Sequence, residues 1–324
     1  MAHLVPASDR AIASAAGRLR SGEPVAFPTE TVYGMGADTY NQDAIRRVYA
    51  LKGRPADNPM IAHVLDSEQA RRVTAGWDER CDRLARRWWP GPLTLVLTRA
   101  DAVPPAATAG WHTIAVRAPA HPVARQLIEA FGGPVSAASA NRSGRISPTT
   151  AEHVADDFAD VQDLLVLDGG ECAVGIESTV VDLTGDVAGV LRPGGIGLLE
   201  LRESLGDVAF LDTGTQGPSP GTTGRHYAPR ATAELVESHA LHERLATLPA
   251  AAVVLCFEGT TVAPPHRAIV MPPTAADYAT RLYAALREAD GLVGDGRILI
   301  VRPLSDEGLW HAVGDRLRRA CLSG

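Results

Sequence analysis

A stretch without hydrophobic periodicity divides this 324-residue sequence into two blocks. Between Thr213 and Gly224 the residues are only Thr, Gly, Pro, Gln and Ser, a composition that is typical of a linker. A chain of this length can form two domains, each with its own core. We therefore predict a first domain over residues 1–212, a linker over 213–230 and a second domain over 231–324.

The block after the linker alternates strand-like and helix-like segments. Short apolar runs predict strands, and apolar residues three or four positions apart, such as Tyr278, Leu282 and Leu286, predict helices. This alternation indicates a small parallel α/β domain. The predicted strands cover residues 252–257, 267–271 and 298–301, and the predicted helices cover 239–248, 275–289 and 309–321.

The block before the linker mixes the same two patterns. The hydroxyl of Ser67 is predicted to cap a helix that reaches about Thr74. We expect residues 190–195 to form a turn into a helix that starts near Gly197. The other predicted strands cover 24–27, 59–65, 93–97, 113–117, 134–138, 164–167 and 178–183, and the other predicted helices cover 9–20, 41–51, 79–88, 121–131 and 150–158.

Polar side chains crowd into a glycine-punctuated turn after the strand that ends at Phe27. Pro28 stops this strand, because proline cannot donate to a ladder, and the polar residues that follow are Thr29, Glu30, Thr31 and Tyr33. The next helix is predicted to end at Gly53 and Pro55, which leaves Lys52 and Arg54 on a rigid, exposed turn. A hydroxyl-rich turn, a helix and a cationic turn in succession indicate a ligand site.

Four cations lie beside strand ends or turns, namely Lys52, Arg54, Arg117 and Arg192. Each alone is typical of a protein surface, but together they favour recognition of polyphosphate and carboxylate, since the planar guanidinium pairs with both. A second polar loop supplies either ordinary turn residues or donors to phosphate oxygens, at Ser139, Asn141, Ser143 and Ser147. For His63 a core position competes with a small-ligand contact, and we favour the contact. For Asp182 a cation ligand and a solvent-facing carboxylate both remain open.

Several common kinds of site are absent from the sequence. It contains no Gly-x4-Gly-Lys-Ser/Thr or Gly-x-Gly-x-x-Gly phosphate loop, no Gly-x-Ser-x-Gly nucleophile elbow and no His-Glu-x-x-His zinc helix. The four cysteines have no paired spacing for zinc, and we expect free thiols rather than a disulfide framework. A net charge of -7 argues against extended nucleic-acid binding. No apolar run approaches the roughly 18 residues of a membrane span, and no secretory pattern is present, so we expect a cytoplasmic protein without a membrane partner.

Six motifs occur in order along the first block, and a seventh spans the end of the linker. They are Pro28-Thr29-Glu30-Thr31-Val32-Tyr33-Gly34, Lys52-Gly53-Arg54-Pro55-Ala56-Asp57-Asn58-Pro59, Trp89-Pro90-Gly91-Pro92-Leu93-Thr94, Ser139-Ala140-Asn141-Arg142-Ser143-Gly144, Glu177-Ser178-Thr179-Val180-Val181-Asp182, Leu191-Arg192-Pro193-Gly194 and Gly224-Arg225-His226-Tyr227-Ala228-Pro229. The set resembles the Sua5/YrdC family, and the last motif resembles its longer Sua5 branch. The resemblance implies a three-layer α/β YrdC-like domain with a twisted mixed sheet, a smaller parallel, Rossmann-like C-terminal Sua5 domain, and a linker that loops over the active site.

The resemblance also implies an L-threonylcarbamoyladenylate synthase. Such nucleotidyltransferases convert L-threonine, bicarbonate and ATP, which carries Mg²⁺, into threonylcarbamoyl-AMP and pyrophosphate. The product then passes to the complex that places the threonylcarbamoyl group on adenosine 37 of tRNA. By resemblance, L-threonine binds at Thr31, Tyr33, His63, Arg117, Ala137 and Ser178. By the same resemblance, ATP binds at Lys52, Arg54, Asn58, Thr113, Ser139, Asn141, Ser147, Arg192, His226 and Tyr227, with Lys52 and Arg54 catalytic and no residue ligating a metal.

Two other functions fit the same type of domain. The first is a carbamoyltransferase that forms carbamoyl-adenylate from carbamoyl phosphate, although such proteins usually carry further zinc-finger, acylphosphatase-like or kinase-like regions that this sequence lacks. The second is a module that binds double-stranded RNA without catalysis, against which the acidic balance argues.

Overall fold

The computed structural model describes residues 2–211 and 226–322. Within these residues one sheet has twelve strands and a second sheet has four. The strands of the first sheet are β1 (His3–Pro6), β2 (Val25–Phe27), β3 (Gly34–Asp38), β4 (Ile61–His63), β5 (Thr74–Ala75), β6 (Leu93–Arg99), β7 (Thr113–Arg117), β8 (Val135–Ser139), β9 (Leu165–Asp168), β10 (Thr179–Asp182), β11 (Ala188–Arg192) and β12 (Val208–Phe210).

The first sheet is mixed, as predicted. Its order is β1-β9-β2-β3-β8-β4-β7-β6-β10-β11-β12, with the short β5 paired to β6. β4 and β7 run parallel and align His63 with Arg117, whereas β8 runs antiparallel to β4 and aligns Ala137 with Ile61. The register therefore places His63, Arg117, Ile61 and Ala137 near one another in the middle of the sheet.

Helices cover both faces of this sheet and make three layers. They are α1 (Asp9–Arg20), α2 (Gln42–Lys52), α3 (Ser67–Val73), α4 (Glu79–Trp88), α5 (Pro122–Phe131), α6 (Ala151–Asp157) and α7 (Leu198–Leu205), with a 3-10 turn at Pro105–Thr108. α1 and α5 share a core cluster with Val25 and Phe27, while α2 and α6 share another with Ala26. Successive residues of β2 thus face opposite layers, as the period of a strand requires.

Three local predictions for the first domain are wrong. Residues from Gly34 form β3 rather than a turn, because glycine lets the strand approach its neighbours: a Cβ on Gly36 would lie 2.6 Å from Val135 Cγ1. The predicted turn at 190–195 starts inside β11. α3 is capped by the carboxylate of Asp66, which accepts from Gln69 N at 2.9 Å, and not by Ser67.

The second sheet is entirely parallel, which confirms the prediction for the C-terminal domain. It runs in the order β13-β16-β14-β15, with α8 on one face and α9 and α10 on the other. Residues 232–236 form a strand that the sequence analysis did not predict. The elements are β13 (Thr232–Val236), a 3-10 turn (Ser238–Ala240), α8 (Leu241–Ala246), β14 (Ala252–Cys256), β15 (Arg267–Val270), α9 (Ala275–Leu292), β16 (Arg297–Val301) and α10 (Leu309–Cys321).

The predicted linker lies largely outside the described residues, since only 226–230 of it are described. Among the described residues, no helix combines the length and the apolar character needed to cross a bilayer. Cys81, Cys172, Cys256 and Cys321 are free thiols.

Candidate functional site

A polar cleft lies over the middle of the first sheet. The empty space among its lining atoms is about 510 Å³, a volume that includes open solvent at the mouth of the cleft. Ile61, His63 and Ala137 form part of its lining, and His226 and Tyr227, which lie at the end of the linker, form another part. The predicted site residues that line the cleft are Thr31, Arg54, His63, Arg117, Ala137, Ser139, Ser178, Arg192, His226 and Tyr227.

One part of the lining is organised by Arg117, and we call Thr31, His63 and Arg117 the Arg117 group. The Arg117 guanidinium donates to Thr31 Oγ1 at 2.9 Å and to the carbonyl of Gly91 at 3.3 Å. His63 Nδ1 donates to the carbonyl of Ile61 at 3.0 Å. Burial, together with the Arg117 charge, lowers the pKa of His63 to about 4. The ring is therefore neutral near pH 7, and Arg117 carries the positive charge of this group.

A second part of the lining consists of Arg54, Arg192, His226 and Tyr227, which we call the Arg192 group. Arg54 donates to the side-chain oxygen of Asn58 at 2.5 Å and to the carbonyl of Pro59 at 2.7 Å. Arg192 donates to Ser178 Oγ at 3.2 Å and to its carbonyl at 3.1 Å. These bonds fix both guanidinium groups beside the cleft.

Two buried polar atoms of the Arg192 group have no hydrogen-bond partner among the described residues. They are Nδ1 of His226 and the phenol oxygen of Tyr227. Buried polar atoms are rarely left without a partner, because their desolvation is then not offset. Burial also lowers the pKa of His226 to about 3, so its ring is neutral. Unpartnered polar atoms beside two arginines indicate that a polar, anionic ligand completes the cleft.

The remaining predicted site residues do not line the cleft, and most are engaged elsewhere. The phenol of Tyr33 donates to the carbonyl of Gly170 at 2.8 Å. Ser147 donates to Glu177 Oε1 at 2.7 Å, while the amide of Asn141 donates to the carbonyls of Arg142 and Arg145. The other residues predicted for ligand binding but absent from the lining are Lys52, Asn58 and Thr113.

The expected exposed cationic turn is wrong. Gly53 does end α2 in the left-handed conformation, with φ of 59°. However, Lys52 and Arg54 are only 2% and 8% exposed. The Lys52 ammonium donates to the carbonyls of Ser139 and Asn141, so it holds the second polar loop in place without lining the cleft itself. Burial and the neighbouring Arg54 charge lower the pKa of Lys52 well below its usual value.

Sequence reasoning missed a group of residues that joins the cleft to the C-terminal domain. Glu177 lines the cleft and accepts hydrogen bonds from Tyr283 of α9 and Arg316 of α10, both at 2.8 Å. A signal for Arg316 was present in the sequence. Arg316 lies on the apolar side of α10, where Val313 is three residues before it and Leu317 is one residue after it. An unpaired arginine would be unfavourable at such a position.

The described residues contain no group of three or more His, Cys, Asp or Glu side chains that could hold a metal ion. Asp182 does not belong to such a group, and its carboxylate accepts from the backbone and hydroxyl of Thr184 at 2.9 and 2.7 Å. The carboxylates nearest the cleft, Glu30 and Glu177, are each paired with an arginine. The cleft therefore presents cations rather than anions to a ligand.

Two family models match nearly the whole chain. The Sua5/YciO/YrdC model, whose description reads "Telomere recombination", matches residues 18–194, and a model described as "Threonylcarbamoyl-AMP synthase, C-terminal domain" matches residues 196–321. The chain belongs to the Sua5 family. The models meet near residue 195, whereas β12 extends the first sheet of this Sua5 protein to Phe210.

Full-length relatives agree with this membership. The chain is 40% identical over 320 residues to the threonylcarbamoyl-AMP synthase of Pyrococcus abyssi, covering 94% of this chain and 92% of that protein. It is 39% identical over 330 residues to the threonylcarbamoyl-AMP synthase of Bacillus subtilis, covering 97% and 93%. A crystal structure of P. abyssi Sua5 complexed with L-threonine superposes with a TM-score of 0.91 at 38% identity, covering 99% of this chain and 97% of the other.

Proposed function

We propose that this Sua5 protein is an L-threonylcarbamoyladenylate synthase that makes threonylcarbamoyl-AMP and pyrophosphate from L-threonine, bicarbonate and ATP. The observation that carries the proposal is the lining of one cleft by three buried guanidinium groups, those of Arg54, Arg117 and Arg192. A carboxylate and a triphosphate are the anions that such groups bind best. Relatives that match over almost their whole length carry this activity in their names.

The reaction needs positioned charge more than a nucleophile from the protein. The amine of threonine takes up carbon dioxide and becomes a carbamate. A carbamate oxygen then forms a bond to the α-phosphorus of ATP, while the bond from that phosphorus to the bridging oxygen breaks and pyrophosphate leaves. Charge builds up on phosphate oxygens, and fixed cations in a cleft lower the barrier by stabilising it.

The two groups in the cleft suit the two substrates. We assign the Arg117 group to threonine, with the Arg117 guanidinium on its carboxylate and Ser178 nearby. We assign the Arg192 group to ATP, with Arg54 and Arg192 on the phosphates and the free polar atoms of His226 and Tyr227 toward the nucleotide. The Mg²⁺ ion enters as MgATP, bound through phosphate oxygens, because the carboxylates near the cleft are paired with arginines.

We further propose that the reaction takes place in the cytoplasm. There the product is passed to a complex that transfers the threonylcarbamoyl group to adenosine 37 of tRNA. Transfer to a second protein suits the chemistry, since an acyl-adenylate is an activated intermediate.

The test is direct detection of the product. The full chain is incubated with MgATP, bicarbonate and isotope-labelled L-threonine, and the mixture is examined for labelled threonylcarbamoyl-AMP by mass spectrometry. We expect product and pyrophosphate only when all three substrates are present. A parallel reaction replaces threonine and bicarbonate with carbamoyl phosphate, and a carbamoyl-adenylate formed only there would favour the carbamoyltransferase alternative. Tight RNA binding in a filter assay with no adenylate in either reaction would favour the RNA-binding alternative.

A further inference from the structure

Arg316 belongs to the C-terminal domain, but its fully buried guanidinium lies against residues of the first domain. Its side chain is 0% exposed, and every one of its nitrogens has an acceptor. Nε donates to Glu177 Oε2 at 2.8 Å, Nη2 donates to the carbonyl of Pro193 at 3.0 Å, and Nη1 donates to Asp315 at 2.7 Å. The guanidinium carbon also lies 5.2 Å from the ring centre of Tyr227, within cation-π range.

Glu177 accepts hydrogen bonds from other residues besides Arg316. Its other oxygen accepts from Ser147, and Tyr283 donates to the same oxygen as Arg316. Burial alone would raise the pKa of Glu177, but the charges of Arg316 and Arg192 lower it to about 2. The carboxylate is therefore ionised and held by three hydrogen-bond donors, two of which come from the C-terminal domain.

The contacts of Arg316 fall on one part of the cleft. Tyr227 belongs to the Arg192 group, and Pro193 follows Arg192 directly. Glu177 lies close to the same group, since the Arg192 charge helps to lower its pKa. The Arg117 group has a separate support, since Arg117 is fixed by Thr31, Gly91 and Glu30.

We propose that Arg316 is a positioning residue for the nucleotide, through which the C-terminal domain completes the ATP half of the cleft. It holds Glu177, the turn after Arg192 and the ring of Tyr227 in one arrangement. This inference rests on the proposed function, because it takes the Arg192 group as the ATP site. Stability alone is a weak explanation of such a group, since buried ion pairs replaced by well-packed apolar residues often leave stability unchanged or improved.

The experiment compares variants of the full chain in threonine-dependent pyrophosphate release. Arg316→Met removes the guanidinium and keeps most of the apolar stem, while Arg316→Lys keeps the charge but cannot reach Glu177 and Pro193 together. Arg318→Met is the matched control, because Arg318 is an exposed arginine on the same helix. For each variant KM is measured separately for ATP and for threonine, together with kcat and Tm.

We expect Arg316→Met to raise the KM for ATP by about tenfold or more, as for the loss of one charge-assisted hydrogen-bonded partner, while the KM for threonine changes by less than about threefold. Arg316→Lys should recover part of the ATP effect, and Arg318→Met should match the wild-type chain. A lower Tm with both KM values unchanged would overturn the inference, and so would an equal rise in the KM of both substrates.

A second variant keeps the inference testable if Arg316→Met does not fold. Tyr283→Phe removes only the hydroxyl that donates to Glu177, and it should raise the KM for ATP by about threefold without a matching change for threonine. An unchanged KM for ATP in that variant would count against the inference. Failure of the proposed function is seen separately, as a wild-type chain that releases no pyrophosphate. Calorimetric titration with a non-hydrolysable ATP analogue then still compares wild type with the Arg316 variants, and equal affinities would overturn the positioning role.

Discussion

Glu30 Oε1 lies 2.6 Å from Arg117 Nη2, in an ion pair whose side chains are 10% and 4% exposed. Burial would raise the pKa of Glu30, but the Arg117 charge lowers it below its usual value, so the carboxylate stays ionised. The other carboxylate oxygen accepts from the backbone of Ala120 at 3.0 Å, which fixes the position of Glu30. Glu30 therefore orients the guanidinium without removing its remaining donor capacity from the cleft.

The first prediction concerns the planar fork of Arg117. In Arg117→Lys the charge stays, but a single ammonium cannot satisfy Glu30, Thr31 and the carbonyl of Gly91 as the guanidinium does. We expect the KM for threonine to rise by about tenfold or more, with little change in the KM for ATP. Steady-state pyrophosphate release measures both values. Arg125→Lys, on α5 and outside the cleft lining, is the control, and a threonine KM equal to wild type in Arg117→Lys would remove Arg117 from the threonine site.

The second prediction concerns Arg54. Arg54→Ala removes a guanidinium from the cleft, and the side-chain oxygen of Asn58 and the carbonyl of Pro59 lose their donor. We expect threonine-dependent pyrophosphate release to fall by about a hundredfold or more, the size of effect seen when one stabilising donor is lost from an active site. The matched control is Arg46→Ala, an exposed arginine on the neighbouring helix α2. Near-normal turnover in Arg54→Ala would exclude a catalytic role.

The sequence predicts the parts of the fold that depend on local patterns. Asn41 before α2 and Gly53 after it are recognisable end signals, and the structure uses both. The parallel C-terminal sheet follows from alternating strand and helix patterns. The burial of Lys52 could not be predicted in the same way. Its ammonium donates to carbonyls that lie 87 and 89 residues further along the chain.

The candidate site shows the same contrast between residues that have a local sequence signal and contacts that join distant parts of the chain. The sequence identifies motif residues such as Arg117 and Arg192, since each lies just before a turn that contains a proline. The pairing of Glu177 with Arg316 spans 139 residues and two domains, so no local pattern reports it. Tyr33 lies within a motif, yet its phenol donates to the carbonyl of Gly170 and it does not line the cleft, so a motif position alone does not report which contacts a side chain makes.

The third prediction concerns stability at mildly acidic pH. Burial lowers the pKa of His63 and His153 to about 4 and that of His226 to about 3, each from an ordinary 6.5. The unfolded chain therefore takes up protons below pH 6.5 that the folded chain does not bind. The free energy of unfolding should fall as the pH drops from about 6.5 to 4.5, by up to about 1.4 kcal/mol per pH unit for each histidine.

Urea denaturation at several pH values between 7 and 4.5 measures this slope. The buried glutamates Glu30 and Glu177 do not interfere with this measurement. Because their pKa values are lowered, they reduce the free energy of unfolding only when the pH falls below the ordinary glutamate pKa of 4.5. His153→Gln, outside the cleft lining, should flatten the slope, whereas His3→Gln, at an exposed position, should not. A stability that is constant over this range would contradict the prediction.

The fourth prediction concerns the close approach of the two domains at Gly175. This residue has φ of +77°, and a Cβ there would lie 2.4 Å from Thr280 Cα and 2.5 Å from the carbonyl oxygen of Ala279, both in α9. Since helix backbone cannot move aside like a flexible side chain, Gly175→Ala should push α9 away from the first domain. Gly76→Ala is the matched control, because Gly76 has φ of +75° but nothing within 4 Å of the added Cβ. Both variants strain the backbone, so their difference isolates the domain contact.

We expect Gly175→Ala to lose about 2 kcal/mol more stability than Gly76→Ala in chemical denaturation, as for overpacking of an interior. We also expect a higher KM for ATP in Gly175→Ala alone, since α9 carries Tyr283 to Glu177. Equal stability losses in the two variants would mean that the domains do not pack at Gly175 as the structure describes.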